Sequence, residues 1–189
     1  MGKKHEFGRR KKVALTPKQA AARKAGIVTT ISRESALQRL LETAASLWFV
    51  KADSLVIHLL VIASYKNLEV LGKERGKAPS VGEHAKGLDF MLGYDFIRHA
   101  TSDPQELLDF PEAINDLTLF SCIDSFGLIY GRRTPIMRTY QAYFALTATP
   151  DDHQPCEPTE FFPVGFNYSL CRALGRMEFF ERMLPVFSR

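Results

Sequence analysis

Apolar residues recur every three or four positions along most of the chain, which is the spacing of amphipathic helices. From Ser32 onward these stretches predict helices that end near Trp48, Arg75, Pro104, Tyr130, Ala148 and Leu184. Glycine, proline and capping residues separate the stretches, and none of them alternates apolar and polar residues as a half-buried strand would. The pattern therefore predicts an all-α fold. We expect an antiparallel helical bundle of about five helices plus a C-terminal helix, because the connections are short.

The same pattern divides the chain into four segments. Residues 1–30 are polar, have little to bury, and are expected to form a basic mobile arm. Residues 31–149 are expected to form the bundle core, residues 150–168 a proline-rich extended segment, and residues 169–189 the C-terminal helix. An apolar share of 46%, with 14 phenylalanines, is enough to build one core.

Positive charge is concentrated in the first segment. Residues 1–30 hold nine lysines and arginines against one acid, whereas the remainder holds 16 basic and 20 acidic residues. A flexible cationic segment binds phosphate backbones without reading their sequence. We therefore expect the arm to contact nucleic acid, RNA in particular, through Lys3, Lys4, Arg9, Arg10, Lys11 and Lys12. The alternatives are a solvated tail or a targeting leader.

Cysteine usage and hydropathy favour a cytoplasmic protein. Cys122, Cys156 and Cys171 are odd in number and form no CxxC pair, which is typical of a reducing compartment. The longest apolar run, residues 55–63, contains His58 and is much shorter than the roughly 20 residues of a membrane span. We therefore expect a cytoplasmic location and no membrane partner.

The stretch from Gly87 to Pro104, GLDFMLGYDFIRHATSDP, carries the candidate chemistry. Asp95, His99 and Asp103 follow one another at four-residue intervals, which places them in the middle of the apolar face of the predicted helix. A buried carboxylate or imidazole without a partner costs a few kcal/mol, roughly. Each of these groups is therefore expected to be hydrogen-bonded, ion-paired or used in chemistry.

Three interpretations of this face compete. In the first, His99 is a general acid or base oriented by Asp95, while Arg98, Arg132 or Arg133 holds a phosphate. In the second, a metal ion is bound by His58, Asp95, His99 and Asp103, with His58 contributed by the preceding helix. In the third, the groups form a buried hydrogen-bond network that fixes the helix register, to which Asp124 of the following helix would add a further acid. No cofactor is predicted.

The run YDFIRHATSDP, together with SLVIH in the preceding helix and the ISRESAL start, resembles an uncharacterised family of small bacterial helical proteins. Members of that family read close to YNFFKHADRDP at this place. The resemblance covers roughly residues 31–148 and is specific to the three short runs. It implies a helical bundle and brings no established activity with it.

More distantly, the pattern is similar to the HEPN superfamily (higher eukaryotes and prokaryotes nucleotide-binding). These are helical bundles, often dimeric, and many are metal-independent ribonucleases of defence or toxin–antitoxin systems. On this chain His99 matches the motif histidine and Asp95 the polar position, whereas Tyr94 stands where the family has an arginine. The resemblance implies that His99 would move the proton of a ribose hydroxyl and that an arginine such as Arg98 would stabilise the phosphate. A homodimer would be compatible with it.

Because Tyr94 replaces the motif arginine, we favour a non-catalytic helical binding module that contacts nucleic acid or a protein partner through a degenerate HEPN-like site. The first alternative is a metal-independent ribonuclease that uses His99. The second alternative is a metal-binding bundle protein.

Overall fold

A computed structural model describes residues 16–26, 30–77, 91–98, 108–147 and 158–189, and all regular structure in these ranges is helical. The α-helices are α1 (Pro17–Lys24), α2 (Arg33–Phe49), α3 (Ser54–Glu74), α4 (Leu92–Arg98), α5 (Ile114–Tyr130), α6 (Pro135–Thr147) and α7 (Arg176–Phe187). Two short 3-10 helices lie at Pro158–Phe161 and Tyr168–Cys171. The prediction of an all-α bundle is confirmed.

Contacts divide the chain into two units, Met1–Arg33 and Glu34–Arg189. The described part of the first unit contains α1. The second unit is the helical bundle and contains the hydrophobic core. The expected mobility of residues 1–30 stays a prediction.

The helices of the bundle pair in both orientations. The start of α2 meets the end of α5, where Arg132 binds Glu34, and the end of α2 meets the start of α5, where Trp48 binds Asp116. The helices α2 and α5 are therefore antiparallel, as expected. In the same way α6 and α7 are antiparallel. Residues near the start of α6 contact the end of α7, and residues further along α6 contact positions nearer the start of α7.

The helices α3 and α5, which are separated in the chain by α4, run parallel to each other. Near their first turns, Asn115 of α5 donates from Nδ2 to the carbonyl oxygen of Ser54 at 2.8 Å. Past their last turns, Arg75 donates to the carbonyl oxygen of Ile129 at 2.9 Å. Because one helix, α4, lies between them in the chain, an alternating up-and-down order makes α3 and α5 run in the same direction.

Aromatic side chains dominate the core where α2 meets α6 and α7. The Trp48 ring lies edge-on to Tyr140 at 4.9 Å between centroids, and Phe49 packs on Phe180 at 4.7 Å. The polar atoms of these rings have partners: Trp48 Nε1 donates to Asp116 Oδ1 at 2.5 Å, and the Tyr140 hydroxyl donates to the Asp116 carbonyl oxygen at 2.8 Å. Edge-to-face aromatic pairs add about 0.5–1.5 kcal/mol each beyond the burial of their area.

Several helix ends follow local signals in the sequence. Asp53 caps α3 by accepting from the Val56 amide at 3.0 Å, and Gly131 ends α5 in the left-handed conformation at φ 72°. Thr134 and Pro135 open α6, where Thr134 Oγ1 accepts from the Met137 amide at 3.5 Å. The last α-helix begins at Arg176, later than the expected residue 169, because the chain first forms the 3-10 turn that ends at Cys171.

The helix α3 is apolar on nearly every side. By length and mean hydropathy alone it is long and apolar enough to cross a membrane, a test that the core helix of a soluble protein also meets. Its inner face carries Ile57, Val61 and Leu68, each nearly or fully buried in the bundle core.

Lys51 occupies a backbone conformation that favours glycine. It follows α2 at φ 54°, and the two hydrogen bonds of a Schellman motif surround it, from the Lys51 amide to Trp48 and from the Ala52 amide to Leu47. The substitution Lys51→Gly should therefore raise the free energy of unfolding by about 0.5–1 kcal/mol, because the left-handed conformation strains a side chain with a Cβ atom. Thermal unfolding measures this. Lys51→Ala is the control; an equal gain from alanine would contradict the prediction.

The buried thiol and phenol of the core make the fold sensitive to alkali. Burial raises the pKa of Cys122 and that of Tyr140 well above their ordinary values, 9.0 for a thiol and 10.0 for a phenol, and the Asp116 charge raises the pKa of Tyr140 further. At pH values below these ordinary pKa values both groups are protonated in the folded and in the unfolded chain, so their contribution to stability is complete. As pH rises past them, the unfolded chain loses protons that the folded chain retains. Stability should fall by about 1.4 kcal/mol per pH unit for each group.

The measurement is the free energy of unfolding in denaturant from pH 7 to 11. Tyr140→Phe should cost about 1 kcal/mol at pH 7, through the lost hydrogen bond to Asp116. It should then lose less stability than the wild-type chain above pH 10. Equal alkaline losses in the two proteins would show that Tyr140 does not contribute.

Candidate functional site

His58 lies fully buried between α3 and α5 and is held by Asn115. The His58 Nδ1 and Asn115 Oδ1 atoms are 2.9 Å apart. Because the Asn115 amide nitrogen already donates to Ser54, its oxygen faces the imidazole, and the network assigns a proton to Nδ1. The sequence predicted a partner for His58 but not this one. The position of Asn115 in the sequence gave no signal of this partner, which lies 57 residues away.

The helix α4 meets His58 through Gly93. A Cβ atom built on Gly93 would lie 2.8 Å from the His58 Cδ2 atom and 3.2 Å from the Phe110 ring, so only glycine lets α4 approach this closely. Asp95 is two residues further along, which is about 200° around the helix, and it is half-buried on the side away from His58. The structure therefore brings His58 to Gly93 and Asn115, while the predicted grouping of His58 with Asp95 stays a prediction.

The other residues proposed for this site have no described side chains. His99 and Asp103 lie outside the described residues, and of Arg98 only the backbone is described. Within the described ranges, no three His, Cys, Asp or Glu residues form a group that would hold a metal ion. The acid/base and metal interpretations of the central stretch both depend on His99, and both stay predictions.

The two arginines proposed to hold a phosphate are engaged in ion pairs. Arg132 Nη2 lies 2.8 Å from Glu34 Oε1 and also donates to Gln38 Oε1 at 3.0 Å. Arg133 Nη2 lies 2.5 Å from Asp124 Oδ1, so this acid of α5 is ion-paired. The Glu34 partner is 98 positions from Arg132 in the sequence, too far for sequence spacing to reveal it.

Gly127 makes room for the ion pair between Arg133 and Asp124. A Cβ atom at Gly127 would lie 2.5 Å from the Arg133 Nε atom, so the guanidinium packs directly on the α5 backbone. The Nε atom is buried there and has no hydrogen-bond partner among the described residues. Arg132, Arg133 and Arg138 line an open cavity of about 460 Å³ at the turn between α5 and α6.

Three further cations surround the same turn, and the sequence did not single them out. Arg75 donates to the Ile129 carbonyl oxygen, Lys77 to that of Leu128, and Arg138 to that of Phe187. Their partners are carbonyls in the last turns of α5 and α7, where the helix dipole attracts cations. Among the described residues none of the three is ion-paired with a carboxylate. We call Arg75, Lys77, Arg132, Arg133 and Arg138 the basic end of the bundle.

A second cleft, of about 560 Å³, opens at the opposite end, where α3, α5 and α7 begin. The Arg176 guanidinium lies 3.8 Å above the Trp48 ring in this cleft, and Lys51 stands at its edge. Glu112 and Asp116 also line it, so charges of both signs are present. Asp53, which caps α3, lies in the chain between two residues that line this cleft, Ala52 and Ser54.

The lysines and arginines proposed for nucleic-acid contact in the arm, residues 3 to 12, lie outside the described residues. No protein-family model, curated protein or solved structure matches this chain.

The Asn115 bridge should be the most sensitive polar position of the described bundle. Asn115→Ala would leave the His58 Nδ1 proton and the Ser54 carbonyl without their buried partner, and should lower the free energy of unfolding by about 2–3 kcal/mol. Chemical denaturation measures the loss. Asn167→Ala, at an exposed position with no capping hydrogen bond, should change stability by less than about 0.5 kcal/mol. Similar losses in the two variants would refute the bridging role.

Proposed function

We propose that this protein is a non-catalytic helical module that binds the phosphate backbone of nucleic acid. The observation that carries the proposal is the basic end, where five cationic side chains surround one turn. Among the described residues two of the five are ion-paired, Arg132 with Glu34 and Arg133 with Asp124. Phosphate binding needs several cations within reach of consecutive phosphates, and it needs no base-reading groups.

The side chains of the basic end are positioned before any ligand binds. Arg132 and Arg133 are held by carboxylates, and Arg75 is fixed between a backbone carbonyl and the Tyr130 ring, 4.7 Å from the ring centroid. A guanidinium has five N–H donors and these contacts use one to three of them, so further donors are available to phosphate oxygens. Anchored arginines lose less side-chain entropy on binding than free ones.

The basic arm supports the same function from the sequence. Its nine cations against one acid would add affinity that does not depend on base sequence. The arm and the basic end can be tested separately, because each can be neutralised by substitution in the full-length chain.

A non-catalytic role is favoured over the ribonuclease alternative for a chemical reason. Phosphodiester cleavage needs a cation that is preorganised toward the charge developing on the phosphate. Arg132 and Arg133, two of the arginines suggested for that task, are instead oriented by carboxylates, and Tyr94 stands where the resembled motif has its arginine.

The proposal predicts salt-dependent binding that weakens when the basic end is neutralised. Arg75→Gln combined with Lys77→Gln should weaken binding of a labelled single-stranded RNA several-fold at low salt. It should also reduce the slope of log affinity against log salt by about 1.4, since each phosphate contact contributes about 0.7. Fluorescence anisotropy across a salt series measures both quantities, with duplex DNA as a second probe.

The control is Lys51→Gln combined with Arg176→Gln, which removes the same charge from the cleft at the opposite end of the bundle. Replacing the six cations between Lys3 and Lys12 by glutamine tests the arm alone. If the two double variants weaken nucleic-acid binding equally, the basic end is not part of the binding site. Failure of the wild-type protein to bind either probe at low salt would overturn the proposal and favour a protein partner. RNA cleavage in EDTA that is lost in His99→Ala would favour the ribonuclease.

A further inference from the structure

The cleft where α3, α5 and α7 begin combines an apolar lining with charged side chains. Trp48 and Ile57 line it and are almost fully buried, and the half-buried Tyr143 adds a second aromatic ring. Its volume of about 560 Å³ is within the range of roughly 300–1,000 Å³ that is usual for small-molecule sites. A small ligand with a large apolar group would therefore bury that group against these rings.

Two cations line the same cleft. The Arg176 guanidinium lies 3.8 Å from the centroid of the Trp48 ring, and the backbone of Lys51 is fixed by the turn that ends α2. Neither cation forms an ion pair with a residue that the structure describes. Arg176 is the first residue of α7, and the N-cap of this helix, Gly175, has no side chain to accept from the first amides. The guanidinium and these amides could donate together to one carboxylate.

Carboxylates line the cleft as well. Asp116 accepts from Trp48 Nε1 and so holds the indole in place, whereas Glu112 is exposed just before α5. Within the described part of the chain, Glu112 forms no ion pair with Arg176 or Lys51, although all three line one cleft. The cleft therefore keeps charges of opposite sign apart. A ligand with a positive and a negative group would complement both, whereas a simple anion or a simple cation would complement only one.

We propose that this cleft binds a free α-amino acid with a large apolar side chain. Arg176 and the first amides of α7 bind the carboxylate of the ligand, and Lys51 adds positive charge beside it. Glu112 accepts from the ammonium group, and the apolar side chain lies against the ring of Trp48 or Tyr143. The inference is independent of the nucleic-acid proposal, because the cleft and the basic end lie at opposite ends of the bundle.

The ligand class is tested by calorimetric titration of the full-length chain with L-phenylalanine and two analogues. Trp48 fluorescence locates the binding, because it is the only tryptophan of the chain and lines the cleft. L-phenylalanine should change the Trp48 emission and bind with a Kd of about 0.1 mM or tighter. Phenylpropionate lacks the ammonium group and phenethylamine lacks the carboxylate, so each should bind roughly tenfold more weakly.

Substitutions of the charged residues should respond selectively to the two analogues. Arg176→Gln should weaken L-phenylalanine roughly tenfold and should not weaken phenethylamine, because that analogue has no carboxylate to lose a partner. Glu112→Gln should weaken L-phenylalanine to a similar extent and should not weaken phenylpropionate, which has no ammonium group. A misfolded variant would lose both of its test ligands, so this pattern separates recognition of the ligand from damage to the fold.

Arg172→Gln and Glu160→Gln are the matched controls, since both residues are exposed and neither lines the cleft, and each variant should bind L-phenylalanine like the wild-type chain. Three results would overturn the proposal. The first is a wild-type chain that binds none of the three ligands at millimolar concentration. The second is phenylpropionate or phenethylamine binding as tightly as L-phenylalanine, which would make the cleft a site for simple anions or for simple cations. The third is equal loss of affinity in the controls and in the cleft variants.

Discussion

The amide of Asn115 is the contact on which the arrangement of the bundle depends. It joins the first turn of α3 to the first turn of α5, through the Ser54 carbonyl on one side and the His58 imidazole on the other. With the two starts fixed together, the two helices run parallel and also end together. The carbonyls at the end of α5 therefore come within reach of Arg75 and Lys77, which follow the end of α3. One buried amide thus determines where the cations gather.

Parallel alignment has an electrostatic consequence that antiparallel neighbours would cancel. The positive ends of the α3 and α5 dipoles lie together at one end of the pair, and their negative ends lie together at the other. The charged side chains are opposite in sign to the dipole ends they meet. Asp53 caps the first turn of α3, and arginine and lysine bind the last carbonyls of α5. A stable bundle would gain from these contacts without any ligand. The contacts nevertheless leave an array of anchored cations on one surface, which is the requirement for binding phosphate.

The sequence predicted those features that are determined within a few residues. Asp53, Gly131 and the Thr134–Pro135 pair act through capping bonds and backbone conformation, so their effect is local. The helical class follows from periodicity for the same reason. Partners distant along the chain had no such signal: His58 was grouped with Asp95 because both lie on apolar faces, yet Gly93, with no side chain, makes the contact. Similarly, the sequence does not show that Arg132 and Arg133 are ion-paired, because the fold is what brings Glu34 and Asp124 beside them.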